Sequence, residues 1–224
     1  MQSNIENLES LINYSFNDRE LLFLSLTHPT FANENNIDKC HTNQRLEFLG
    51  DAVLELISSD FLYKLFDNYS EGLLTKTRAL LVCEKNLASV ARQIQIYNYL
   101  LIGKGENRQN LMNNDSTMCD AIEALIGAIY LDGGLDSAKT FINSFVLTEE
   151  NLNKSSNDYK SKLQEKVNAI NKRLIYEVIK ETGPDHDKKF EVRALIDDKV
   201  YGIGVGRSKK EAEQDAARQA LGKL

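Results

Sequence analysis

The chain is poor in the residues that many enzyme chemistries need. Its three cysteines, Cys40, Cys83 and Cys119, are odd in number and scattered, so neither a disulfide framework nor a zinc-binding pair of Cys-x-x-Cys motifs is indicated, and the cytoplasm is the expected compartment. Cys40-His41 could offer two metal ligands, but with only three histidines in the chain no metal site is expected there. The only histidines, His28, His41 and His186, stand in no recognisable serine or cysteine triad context. There is no Glu-x-x-His motif, since Glu47 is followed three residues on by Gly50 and Glu123 by Ile126, which argues against a carboxylate-bridged di-iron bundle. The N-terminus lacks a basic start, and no stretch reaches about 18 uninterrupted apolar residues, so neither a signal peptide nor a membrane span is expected. No internal repeat is evident.

What the chain does have is acid set into apolar helices. Leu46, Phe48, Leu49, Val53, Leu54, Leu56 and Ile57 follow a helical period, yet Glu47, Asp51 and Glu55 stand among them at steps of four and share one face. Like charges at that spacing destabilise an isolated helix by about 0.2–0.5 kcal/mol per pair, so a positive group is expected opposite them. From Met118 to Leu131 every residue is apolar or small except Asp120 and Glu123, again on one face. Gly50 inside a helix costs about 1 kcal/mol relative to Ala, which predicts close approach by another backbone.

Glu47, Asp51, Asp120 and Glu123 on two facing helices would make an all-oxygen site of high negative charge. Mg²⁺ suits such a site, Mn²⁺ can substitute, and no organic cofactor is implied. A metal held by carboxylates activates water for in-line attack at phosphorus, so phosphodiester hydrolysis follows more naturally than acyl or glycosyl transfer. Two of the acids have plainer readings. Glu55 is expected to face solvent or a surface lysine, and Asp120, three residues after Thr117, matches the acidic half of a capping box.

Charge is unevenly spread. Residues 158–224 hold 15 Lys and Arg against 12 Asp and Glu, which leaves 12 against 21 for residues 1–157, the pattern of an acidic body joined to a basic polyanion-binding module. Helices are expected over residues 5–11, 15–26 (Asn17 as N-cap, Glu20 completing its box), 43–57, 72–81, 84–94, 118–131 and 137–147, with Gly133-Gly134 ending the second acidic helix. Residues 27–43 and 106–116 read as loops. The Asn- and Ser-rich residues 149–157 read as a linker between an all-α domain (1–148) and a small α+β domain (158–224). The latter alternates as strands over 174–180, 190–196 and 200–205, with a tight turn at Asp197-Asp198-Lys199. Ser208 and Glu211 open a last helix with Ala212, Ala216, Ala217 and Ala220 on one face, giving the order α-β-β-β-α. Lys209 and Lys210 at its positive end form a phosphate seat. Ser161, Gln164 and Asn168 form a polar row suited to 2′-hydroxyls, and His186 sits in an interstrand loop able to enter a groove. No aromatic strand motif for stacking single strands is present.

Several of these runs are familiar. Gln44-Arg45-Leu46-Glu47-Phe48-Leu49-Gly50-Asp51-Ala52-Val53-Leu54 resembles the signature helix of ribonuclease III. Asp120-Ala121-Ile122-Glu123-Ala124-Leu125-Ile126-Gly127-Ala128 resembles its second acidic motif, and Leu26-Thr27-His28 and Glu71-Gly72 fall where that family has similar residues. Gly183-Pro184-Asp185-His186 and Ser208-Lys209-Lys210-Glu211-Ala212-Glu213 resemble a double-stranded RNA-binding domain. The resemblance implies an all-α endonuclease domain followed by that RNA-binding domain, in a homodimeric, Mg²⁺-dependent enzyme. Such an enzyme cuts double-stranded RNA to 5′-phosphate and 3′-hydroxyl ends, in processing of rRNA precursors and other structured transcripts. It also implies that Glu47, Asp120 and Glu123 ligate metal, that Asp51 and Glu123 serve catalysis, that Gln44 and Glu71 lie by the RNA, and that Phe48 reaches into the partner subunit. Where this chain has Gln44 the family usually has Glu, so altered rate or RNA handling is expected. A catalytically weakened RNA-binding regulator is the second reading.

Overall fold

Leu46, Val53, Leu54 and Ile57 recur at helical spacing and are all buried, and the same rule of one apolar face per helix organises the chain up to Leu152 as one unit. The structure is a computed structural model, and it describes residues 2–156, 159–184 and 188–224. The first unit contains α1 (Gln2–Ile12), α2 (Arg19–Leu26), α3 (Pro29–Glu34), a 3-10 turn at Lys39–His41, α4 (Gln44–Leu65), α5 (Glu71–Leu81) and α6 (Glu84–Gln93). A second 3-10 turn at Ile96–Asn98, α7 (Arg108–Asn113) and α8 (Asp115–Phe145) follow, and α9 (Glu149–Ser156) runs on from there. The long α8 packs against α2, α4 and α6, and its Ile122, Leu125, Ile126 and Ile129 are fully buried. Among the described residues no helix is long and apolar enough to cross a membrane.

Several local expectations need correction. Helix α2 begins at Arg19 rather than near Ser15, and its N-cap is Asp18, not Asn17: the Asp18 carboxylate accepts from Glu20 N at 2.9 Å. Asn17 instead gives its backbone N–H to Asp132. The segments read as loops at 27–43 and 106–116 contain α3 and α7, each only 6 residues long, too short to show a helical period. By contrast, Gly133-Gly134 does end the second acidic helix: Gly134 has φ 77 and ψ −174, outside the helical range, so Asp115–Phe145 is two helices joined end to end across a kink there. The stretch read as a linker, 149–157, is helical over Glu149–Ser156 and contains the division between the two units at Leu152 and Asn153; Asn157 lies outside the described residues.

The second unit, from Asn153 onward, comprises α10 (Tyr159–Ala169), an antiparallel sheet of β1 (Leu174–Thr182), β2 (Lys189–Ile196) and β3 (Lys199–Gly206) in that order, and α11 (Lys209–Leu221). Asp197 and Asp198 turn the β2–β3 hairpin with φ 46 and 65, the left-handed pair that a two-residue hairpin demands and that Asp tolerates. The helix α11 lies flat on β3 because Ala212, Ala216 and Ala220 meet glycines. A Cβ on Gly204 would lie 2.1 Å from Ala216 N, and one on Gly202 would lie 2.1 Å from Ala216 O. Ser208 caps α11 by accepting from Glu211 N at 3.2 Å, as its sequence predicts.

Candidate active site

The acids are brought together by two helices that touch backbone to backbone. A Cβ on Gly50 of α4 would lie 1.7 Å from Glu123 O, and one on Gly127 of α8 would lie 2.3 Å from Leu46 O. Only glycine fits at either position, so the predicted close approach at Gly50 is a crossing of α4 over α8. Gly127 is its unforeseen counterpart, and its signal was a glycine one turn beyond Glu123.

At the rim of that crossing, ligand oxygens of Glu47, Asp120 and Glu123 lie within 4.8 Å of one another, each side chain half-buried. Asp51 is exposed one turn beyond Glu47 and acts electrostatically on both Glu47 and Glu123. The consequences appear in their proton affinities. Burial, then Asp51, push the Glu123 carboxyl up to about 7, against a weak opposing hydrogen bond from Cys119 Sγ at 3.5 Å. Burial, then Asp120 and Asp51, raise Glu47. Burial, then Glu84, raise Asp120. Glu84, at the first turn of α6, and Cys119 were both missed in the sequence. Neither belongs to a run of acids, and only the packing of α6 on α8 relates Glu84 to the cluster.

Among the described residues no lysine or arginine ion-pairs with these four acids. The cation expected opposite the acidic stripe meets only Glu55, and it is an arginine rather than a lysine: Arg78 Nε lies 2.7 Å from the Glu55 carboxylate. Asp120 is not a capping acid either. Helix α8 starts at Asp115 with Asn114 as N-cap, accepting from Thr117 N at 3.3 Å, which leaves Asp120 well inside the helix and facing the cluster. Three carboxylates gathered without protein cations form a donor set that fits a hard divalent ion.

The remaining predicted residues are not members of the three-carboxylate cluster. Gln44 is exposed in the first turn of α4. Glu71 opens α5, accepts from Thr75 Oγ1 at 3.0 Å, and lines a groove of about 710 Å³ with Leu56, Tyr63, Tyr69 and Arg78. Phe48 is 81% exposed. In the second unit, Gln164 Nε2 donates to Asn168 Oδ1 at 2.8 Å on the exposed side of α10, one turn from the half-buried Ser161. Lys209 and Lys210 are exposed at the start of α11, and Lys210 shares a shallow depression with Tyr159 of α10. His186 lies outside the described residues.

Residues 18–150 match the ribonuclease-III-like family model, and residues 159–224 match that of the double-stranded RNA binding motif. The chain belongs to the ribonuclease III family. It is 45% identical over 221 residues to Ribonuclease 3 of Caldanaerobacter subterraneus subsp. tengcongensis, covering 97% of this chain and 96% of that one. It is 42% identical over 224 residues to Ribonuclease 3 of Carboxydothermus hydrogenoformans, covering 98% and 95%. Among solved structures, the nuclease domain of ribonuclease III from Campylobacter jejuni superposes with a TM-score of 0.59 at 39% identity, covering 66% of this chain and 97% of that one. The protein is thus a ribonuclease III-type endoribonuclease with a helical nuclease domain and a double-stranded RNA-binding domain, as the sequence motifs implied.

Proposed function

We propose that this ribonuclease III is a divalent-metal-dependent hydrolase of double-stranded RNA, with Mg²⁺ as its ion and Mn²⁺ as a substitute, leaving 5′-phosphate and 3′-hydroxyl ends. The observation that carries this is the gathering of Glu47, Asp120 and Glu123 within 4.8 Å at a glycine-only helix crossing, without protein cations among the described residues. In this reading those three residues hold the ion. When bound, it supplies a water of lowered pKa and neutralises charge developing at phosphorus. Asp51, exposed at the rim, would orient the attacking water and accept its proton. Glu123, with its carboxyl pushed up to about 7, would hold the ion as its carboxylate, so ion binding would compete with a proton near neutrality.

The RNA-binding unit delivers the duplex through Lys209 and Lys210 to phosphates, and through Ser161, Gln164, Asn168 and His186 to the minor groove. Gln44 and Glu71 lie along the RNA path of the helical unit. The enzyme works as a homodimer, with one site for each strand. Phe48, Leu56 and Tyr63 are exposed by 81%, 58% and 72% and fall within one strip of α4, too much apolar surface for a solvated helix. The related Campylobacter jejuni nuclease domain has a region involved in dimer formation. Cytoplasmic processing of rRNA precursors and other structured transcripts is the role this chemistry fits.

Cleavage of a perfectly paired RNA duplex with Mg²⁺ is the test. Glu123→Gln is expected to lower the rate by roughly 100-fold or more, since a catalytic ion supplies several kcal/mol of transition-state stabilisation, while gel-shift affinity for the duplex stays unchanged. A parent protein that shifts the duplex and never cuts it would favour the binding-regulator reading raised by Gln44.

A further inference from the structure

The sequence alone predicts no metal site at Cys40-His41, but the fold brings a third donor, Asp38, to that pair. Asp38, Cys40 and His41 place a carboxylate oxygen, Sγ and an imidazole nitrogen within 4.8 Å of one another on an exposed segment. Cys40 Sγ lies 3.2 Å from His41 Nδ1. A tetrahedral zinc ion with bonds of about 2.0–2.3 Å holds its donors on the order of 3.5 Å apart, so these atoms need only small side-chain adjustments to close on one ion.

The backbone beneath them is already fixed. The Asp38 carboxylate accepts from Cys40 N at 2.9 Å, His41 N donates to Asp38 O at 2.9 Å, and Thr42 Oγ1 donates to Lys39 O at 2.9 Å. Asn43 N then donates to Thr27 O at 2.9 Å, which ties the segment to the residues just after α2. Ligand side chains on a pre-turned backbone lose little further entropy on binding. The mixed sulfur, nitrogen and oxygen set selects a borderline ion over Mg²⁺, which demands oxygen ligands. All three side chains are exposed, so an ion from solution reaches them directly and water completes its shell.

We propose that Asp38, Cys40 and His41 form a second metal site, selective for Zn²⁺, separate from the acidic cluster and placed on the segment that leads into α4. Binding releases the Cys40 thiol proton to solvent, and the thiolate and carboxylate together neutralise the ion.

The test uses the full chain, reduced and stripped of metal, titrated with Co²⁺ as a spectroscopic substitute for Zn²⁺. Expected is one thiolate-to-cobalt charge-transfer absorption that saturates at one equivalent per chain and is displaced by Zn²⁺. Cys40→Ser abolishes it, and His41→Ala and Asp38→Asn weaken Co²⁺ binding by roughly 10- to 100-fold. Cys83→Ser and Cys119→Ser retain it. Cys40→Ser also keeps the parent rate of duplex cleavage with Mg²⁺, which separates this site from the nuclease chemistry. Absence of the absorption overturns the proposal. So does an absorption that survives in Cys40→Ser and disappears in Cys119→Ser, because the ion would then sit at the acidic cluster.

Discussion

The two units use one packing device to opposite ends. In the helical unit, Gly50 and Gly127 let α4 and α8 touch backbone to backbone. In the RNA-binding unit, Gly202, Gly204 and Gly206 let α11 settle onto β3 in the same way. At the first contact the missing side chains make room for like charges: Glu47, Asp120 and Glu123 crowd at its rim with raised proton affinities. At the second they produce only a thin, dry slab of Ala212, Ala216 and Ala220, all fully buried. Close packing sets where side chains converge, and what converges decides whether a contact is only a scaffold or also gathers charge.

The comparison breaks most completely at Gly50→Ala. Its new Cβ would meet backbone rather than a movable side-chain tip, so the helical unit should lose about 3 kcal/mol, the upper end of ordinary overpacking. Cleavage should fall by more than about 100-fold as the carboxylates separate. Thermal unfolding and a cleavage assay measure both, and a fully active Gly50→Ala protein would mean that the crossing does not set the site.

Gly204→Ala tests the other contact. A loss of about 1–3 kcal/mol in a unit of this size should lower the midpoint of its unfolding by at least roughly 4–8 °C. Duplex affinity should drop while the midpoint of the helical unit stays in place.

A smaller effect is the pH response that only the first contact should show. The Glu123 pKa rises from 4.5 to about 7 on folding. Its protonation therefore contributes stability that is fully present below 4.5 and lost as pH rises through 7. Denaturant midpoints of the metal-free protein should decline over that window, Mg²⁺ should restore them above pH 7, and Glu123→Gln should flatten the profile. An unchanged slope in that variant would assign the response to other groups.

Smallest of all should be Glu55→Gln. This third acid of the stripe is held by Arg78 at 2.7 Å with both side chains about a third exposed, so its removal should cost under about 1 kcal/mol and leave the cleavage rate intact.

Which of these features could be read in advance follows from how local their causes are. Gly50 announced itself because a glycine in an apolar helix has a cost that packing must offset, and acids among Leu46, Val53 and Ile57 are conspicuous at any register. The capping of α11 by Ser208 and the turn at Asp197-Asp198 are written in adjacent residues. Arg78, 23 positions from Glu55, and Glu84, which acts on Asp120 from another helix, carry no local mark and become legible only when α5 and α6 are placed. The helices α3, α7 and α9 were hidden for a different reason: they are short, and the Asn- and Ser-rich composition of α9 in particular is that of a coil. Asp132 took the backbone N–H groups of Asn17 and Asp18, a partnership that the Asn17 capping pattern could not reveal.

That last carboxylate also bears on how the chain assembles as it is made. Tyr14 Oη, Asn17 N and Asp18 N all donate to Asp132, at 2.6, 3.0 and 2.7 Å, across 114 to 118 positions. The opening stretch of the protein therefore leaves the ribosome long before its anchor is translated. That segment must wait for its carboxylate partner until Asp132 is made, so a nascent chain stalled before Asp132 should be readily cut by protease around residues 14–18.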